Sequence, residues 1–66
     1  MRYAIQHKGK LVGKACDGSY CLTPYVADAI TVDRASAMGL HFDVAHSQLD
    51  PTETGAEFFI VAIPFV

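Results

Sequence analysis

The feature that most constrains the fold is an apolar segment at residues 58–63, whose sequence is Phe-Phe-Ile-Val-Ala-Ile. Aromatic and β-branched residues favour strands, so we predict a strand over residues 57–65. Pro64 has no backbone N–H, and we expect sheet pairing to fail there on one side. Successive side chains of a strand point to opposite faces, and here both faces are apolar. Each face must therefore be covered, either by the rest of the chain or by a partner.

Few residues are available to cover both faces of this strand, because the chain is only 66 residues long. A chain of this length buries about 60% of the surface that it exposes when unfolded. Hydrophobic residues make up 52% of the sequence and charged residues 18%, a composition that argues against disorder. We therefore predict one globular domain over residues 1–66.

Local patterns predict the other strands and turns. Apolar and polar residues alternate over residues 1–8, which is typical of a half-buried strand. Asp17-Gly18 is a strong turn signal. The other predicted elements are a turn at 8–10, a second strand at 11–16, a short strand at 20–22, a helical turn begun by Thr23 and Pro24, a strand at 29–32 and a loop at 47–56.

Residues 34–46 are predicted to form the one helix, with Asp33 as its N-cap. Apolar residues recur there at steps of three and four, which predicts that they pack on the sheet: Ala35, Met38, Phe42 and Ala45. The residues from 40 to 45 also alternate as in a strand, and Gly39 would then end a shorter helix. We favour the single helix. The predicted fold class is α+β, a small antiparallel sheet of three to four strands with the helix on one face.

Cysteine and histidine spacing raises the question of a metal site. Cys16 and Cys21, followed by His41 and His46, resemble a Cys2His2 zinc set. The 19 residues between Cys21 and His41 exceed the usual 12 to 15, and two histidines five apart point to different sides of a helix. We therefore predict no metal and no cofactor. Whether the two cysteines are free thiols, a disulfide or metal ligands stays open.

An enzymatic site is not indicated either. Cys21, His41 and Asp43 include the residue types of a nucleophilic site, but nothing places the thiol in an activating environment. The predicted protein is not an enzyme. No segment reaches the ~20 apolar residues of a transmembrane helix, and the opening residues lack the apolar core of a signal peptide. We expect a cytoplasmic protein.

Charge is segregated along the chain. Residues 1–14 carry four basic residues and no acidic one, for a charge of +4, whereas residues 15–66 carry seven acidic residues and one arginine, for −6. The two parts together give the net charge of −2. The basic start is too sparse to bind nucleic acid directly. The acidic remainder could face a basic partner surface, but a solvated face that keeps the protein soluble is the favoured explanation.

The order of these elements resembles small accessory proteins encoded by phages and other mobile elements. The matching segments are residues 2–5, 10–12, 22–24, 29–33 and 56–61. Some proteins of this kind are anti-CRISPR proteins, which bind a surveillance complex and block its nucleic-acid site. The resemblance implies a non-enzymatic inhibitor of a host protein or ribonucleoprotein complex in the cytoplasm of a bacterial cell. The expected partner contacts are acidic: Asp28, Asp33, Asp43, Glu53 and Glu57.

The alternative prediction is a structural or regulatory homodimer with no nucleic-acid-related target. It follows from the last strand, because the helix covers only one of its two apolar faces. The face left over, made either of Phe58 and Ile60 or of the residues on the other side of the strand, would then join two copies of the chain. The predicted self-association residues are Phe59, Val61, Ile63 and Phe65.

Overall fold

The computed structural model describes residues 1–47 and 57–64, and these residues confirm the α+β fold. The elements in chain order are strand β1 (Arg2–His7), strand β2 (Lys10–Lys14), strand β3 (Tyr20–Thr23), a 3-10 turn (Val26–Asp28), helix α1 (Arg34–Ala45) and strand β4 (Phe58–Ile63). The four strands form one antiparallel sheet in the order β3-β2-β1-β4. Most of the predicted loop at residues 47–56 lies outside the described residues.

Residues 29–32, predicted as a strand, form two separate bridges instead of a ladder. β1 and β2 pair only near their turn, and the segment enters the gap where they diverge. Ala29 bridges Gly13 of β2, whereas Val32 bridges Tyr3 of β1. Because its two ends bond to different strands, the segment cannot build a continuous ladder with either.

The helical turn begins later than predicted. Thr23 was expected at its N-cap, but Thr23 is still part of β3, where pairing with Leu11 holds it extended. Its hydroxyl accepts a hydrogen bond from the backbone N–H of Tyr25 at 3.1 Å. The turn itself is the 3-10 segment Val26–Asp28.

Among the described residues, the core consists of two apolar clusters, one on each face of the sheet. The cluster under α1 contains four buried side chains: Ile5, Val12, Val44 and Phe58. The cluster on the second face contains Ala4, Leu11 and Ile63, and Val26 and Ala29 pack against it. The segment between β3 and α1 therefore covers part of the sheet face that is opposite α1.

Helix α1 forms as predicted, and the strand alternative for residues 40–45 is wrong. The Asp33 carboxylate accepts a hydrogen bond from the N–H of Ser36 at 2.9 Å and caps the helix. At the C-terminal end of α1, His46 Nδ1 lies 2.9 Å from the carbonyl oxygen of Phe42, and the Ser47 hydroxyl donates a hydrogen bond to the carbonyl oxygen of Val44. Two of the last carbonyl groups of the helix therefore have side-chain partners.

The predicted packing stripe of α1 is wrong at three of its four residues. Met38 is 75% exposed and Phe42 61%, and Ala35 is exposed as well, whereas Ala45 is half-buried and packs against the cluster under α1. A second stripe faces the sheet instead, made of Ala37, Leu40 and Val44. Both stripes have helical spacing, so periodicity cannot choose between them. With the stripe of Ala37, Leu40 and Val44 on the sheet, the small Ala37 lies against the strands and His41 lies over β4.

Candidate interaction surface

Two histidine side chains hold the beginning of β4. His7 is fully buried, and its ring stacks on that of Phe58 with centroids 4.2 Å apart. His7 Nδ1 lies 3.0 Å from the carbonyl oxygen of Glu57, and His41 Nε2 lies 2.6 Å from that of Phe58. A carbonyl oxygen can only accept, so both ring nitrogens carry the hydrogen. The two imidazoles thus have structural partners at the start of this strand.

β4 is an edge strand of the sheet that the described residues form, and the pairing of β1 shows how its backbone is oriented. Tyr3 exchanges both backbone hydrogen bonds with Val32, at 2.8 and 2.9 Å, so its N–H and C=O point away from β4. Orientation alternates along an antiparallel strand, so the neighbours of Tyr3 are the β1 residues that bond to β4. The β4 residues that bond to β1 are therefore the partners of Arg2, Ala4 and Gln6 in the register, namely Ile63, Val61 and Phe59.

The remaining β4 residues, Phe58, Ile60 and Ala62, direct their backbone groups to the outer edge. The bond from His41 to the Phe58 carbonyl agrees with this orientation, because that carbonyl is reached from outside the sheet. Within the described residues, Ile60 and Ala62 thus present two N–H and two C=O groups at the outer edge of β4.

Exposed apolar side chains surround this row of backbone groups. On β4, Phe59 is 55% exposed and Ile60 39%, on opposite faces of the strand. On α1, Met38 and Phe42 are four residues apart and form one stripe. We call the set of Met38, Phe42, Phe59, Ile60 and Ala62 the β4 edge surface.

The stripe of Met38 and Phe42 lies on the side of α1 that faces the outer edge of β4. Each residue of a helix is rotated by about 100° from the one before it. In a projection down the helix axis, His41 lies next to the buried Ala37, and its side chain contacts the outward carbonyl of Phe58. Met38 and then Phe42 lie further round the helix axis in the direction from Ala37 to His41. Helix and strand therefore contribute to one surface.

The predicted self-association residues are only partly available to a partner. Phe59 is exposed, Val61 is half-buried and Ile63 is 6% exposed within the second core cluster. Phe65 lies outside the described residues. Met38 and Phe42, by contrast, were predicted to pack on the sheet, and the signal that could have revealed their exposure is the second apolar stripe on α1.

The predicted acidic contacts do not form one cluster among the described residues. Asp28, Asp33, Asp43 and Glu57 are exposed, but they lie on different elements. Asp33 follows Val32, beside Tyr3, whereas the Glu57 carbonyl is at His7. The four residue steps from Tyr3 to His7 place the backbone next to Asp33 and that of Glu57 roughly 13 Å apart along β1. Glu53 lies outside the described residues.

Two of the exposed carboxylates have local structural partners. The hydroxyl and the backbone N–H of Ser36 lower the pKa of Asp33 below its ordinary value of 3.8, and the charge of Arg2 adds to this. Asp17, in the turn before β3, has its pKa lowered in the same way by the hydroxyl and N–H of Ser19, at 2.6 and 2.9 Å.

The cysteines and histidines of the zinc-like spacing are not brought together. Cys21 is on β3 and His41 contacts β4, at opposite edges of the sheet, a separation of roughly 14 Å across three strand spacings. Cys16 is exposed in the turn before β3, and both cysteines are free thiols. In the described part of the chain, no group of three or more Cys, His, Asp or Glu side chains is placed to hold a metal ion.

Comparison with known proteins found no matching family model, no similar curated protein and no similar solved structure. The resemblance to phage accessory proteins therefore stays a prediction. Within residues 1–47 and 57–64, no helix has the length and apolar character needed to cross a membrane.

Proposed function

We propose that this chain is a non-enzymatic binding protein that engages another polypeptide by strand addition at the outer edge of β4. The observation that carries the proposal is the row of outward backbone groups on Ile60 and Ala62, flanked by exposed apolar side chains. Proteins usually protect such an edge with charged residues, proline or a bulge. β4 has none of these from Phe58 to Ile63.

Strand addition uses backbone hydrogen bonds for affinity and side-chain pockets for specificity. On this chain, Ile60 and Ala62 supply the backbone groups. Phe59 offers an apolar contact on one face of the added strand, and Met38 and Phe42 offer it on the other. Aromatic and methionine side chains are also enriched in protein interfaces.

A pair of substitutions at Ala62 tests this proposal. Ala62→Pro removes an outward N–H but no bond to β1, so the monomer should keep its fold. Ala62→Ser keeps that N–H and serves as the matched control. In capture experiments from a bacterial lysate, partners bound by wild type and Ala62→Ser should be lost with Ala62→Pro. Capture of the same proteins by all three variants would refute strand addition.

Inhibition of a host nucleic-acid effector through acidic contacts stays a narrower prediction, and the same experiment separates it from strand addition. Reversing Asp43 and Glu57 to lysine leaves the backbone of the β4 edge unchanged. If acidic contacts dominate, these reversals abolish capture of nucleic-acid machinery, and binding by wild type weakens with salt. If strand addition dominates, the reversals leave capture largely intact.

A further inference from the structure

We propose that the polypeptide added at β4 is a second copy of this chain, which pairs antiparallel, β4 to β4, about a two-fold axis at Val61. This inference rests on the proposed function and names the partner for the same edge. The product is one continuous sheet of eight strands with both α1 helices on the same face.

The hydrogen-bonding groups of β4 select this register. With Val61 opposite Val61 of the second copy, Ile60 lies opposite Ala62 of that copy, and Ala62 opposite its Ile60. Both pairs consist of outward-facing residues, so each exchanges two backbone hydrogen bonds. All of the outward groups of Ile60 and Ala62 are then satisfied.

The ends of β4 match in this register as well. Phe58 then lies opposite Pro64 of the second copy. The Phe58 carbonyl already accepts from His41, and Pro64 has no N–H that would need it. Pro64, which has no N–H donor, is thus paired with Phe58, whose carbonyl oxygen already has a partner.

The apolar side chains of the β4 edge surface fit the same arrangement. On one face, Phe59 lies beside Ile63 of the second copy. On the other, the α1 stripes of the two copies approach each other across the axis, above Ile60 and Ala62. The pairing therefore covers Met38 and Phe42, which the monomer leaves exposed.

The apolar side chains of the β4 edge surface supply about half of the area that a standard interface buries. Taking about 200 Å² for a large side chain, the exposed fractions of Met38, Phe42, Phe59 and Ile60 leave roughly 450 Å² per copy. A standard interface buries about 800 Å² per partner. The strand carries no charge that would be repeated across the axis.

Sedimentation of the purified protein tests the pairing. Wild type and Ala62→Ser should be dimers at micromolar concentration, and Ala62→Pro should raise the dissociation constant at least ten-fold. Met38→Glu, at an exposed helix position, should also weaken the dimer without affecting folding. Circular dichroism confirms that each variant is folded. A wild type that stays monomeric up to millimolar concentration would overturn the pairing.

Disulfide trapping tests the register, in a background in which Cys16 is serine and Cys21 is alanine. The two Val61 Cα atoms should be about 4.5 Å apart as a non-hydrogen-bonded pair, within disulfide range. With oxidised glutathione, Val61→Cys should form covalent dimers and Ile60→Cys should not, because two Ile60 residues are offset diagonally by roughly 8 Å. Covalent dimers formed by Ile60→Cys but not by Val61→Cys would contradict this register.

The proposed function and this inference can fail separately. If wild type is monomeric but Ala62→Pro still abolishes capture of a different protein, the second copy is the wrong occupant and strand addition stands. If Ala62→Pro changes neither self-association nor capture, both proposals fail.

Discussion

Gly13 lies where the backbone of Asp28 passes close to β2, and replacing it with alanine tests how residues 28–30 pack against β2. A Cβ atom at this position would lie 2.6 Å from the backbone oxygen of Asp28 and 3.3 Å from Cγ2 of Thr23. The first distance is shorter than real Cβ contacts, and the atom it meets belongs to backbone. Relief therefore requires the segment around Asp28 to move away from β2.

That movement has a cost that the structure allows us to work out. It strains the hydrogen bond from Ile30 N–H to the Val12 carbonyl, at 3.0 Å, which is worth about 1 kcal/mol. It also loosens Val26 and Ala29 on the second core cluster. Overpacking of this kind costs about 1–3 kcal/mol. Alanine recovers about 0.5 kcal/mol by restricting the unfolded chain. We therefore expect Gly13→Ala to lose about 2 kcal/mol of unfolding free energy.

Urea unfolding followed by circular dichroism measures this loss, and Gly39→Ala is its control. At Gly39, on the exposed side of α1, an added Cβ has nothing within 4 Å. The control should therefore gain about 0.5–1 kcal/mol from helix propensity. In a domain of this size, 2 kcal/mol lowers the melting temperature by roughly 8–16 °C. If Gly13→Ala were as stable as wild type, the close approach of Asp28 to β2 would be refuted.

Two further predictions concern α1. Because the pKa of Asp33 is lower in the folded chain, the stability that it contributes is fully present above pH 3.8 and is lost as the pH falls through the folded pKa. In urea titrations, Asp33→Ala should lower the unfolding free energy at neutral pH, whereas Asp33→Asn should keep the helix cap and lose this pH dependence. If the unfolding free energies of wild type and Asp33→Asn fell identically in acid, the stabilising role of the Asp33 charge would be contradicted. Val44→Ala should cost about 2 kcal/mol, because Val44 is 1% exposed, and Met38→Ala less than about 0.5 kcal/mol, both measured by thermal unfolding of dilute protein. The reverse ranking would show that α1 packs through the stripe of Met38 and Phe42.

The elements that were predictable from the sequence depend on local interactions. The alternation in β1, the Asp17-Gly18 turn and the Asp33 cap each involve residues close together in the chain. The alternation predicted the strand but not its burial, because Ala4 and Ile5 are buried on opposite faces of β1. The strand at β4 was predictable because its composition allows little else. These signals were sufficient to predict the fold class and, apart from residues 29–32, the order of the elements.

What could not be predicted depends on contacts between distant segments. The two stripes of α1 have similar spacing, and only the sheet decides which is buried. Residues 29–32 have β-branched residues, but the divergence of β1 and β2 limits them to two bridges. The outward orientation of Ile60 and Ala62 follows from the pairing of Tyr3 with Val32, a partner 29 residues away in the chain. No local pattern contains that information.

The most direct test of the account is the amide hydrogen exchange of β4, measured by NMR over a range of protein concentrations. The amides of Phe59, Val61 and Ile63 bond to β1 and should be protected at every concentration. Those of Ile60 and Ala62 should exchange rapidly in dilute protein and become protected as the concentration rises. In Ala62→Pro, the Ile60 amide should stay unprotected throughout. Protection of Ile60 and Ala62 that does not depend on concentration, or the opposite alternation along β4, would contradict the account.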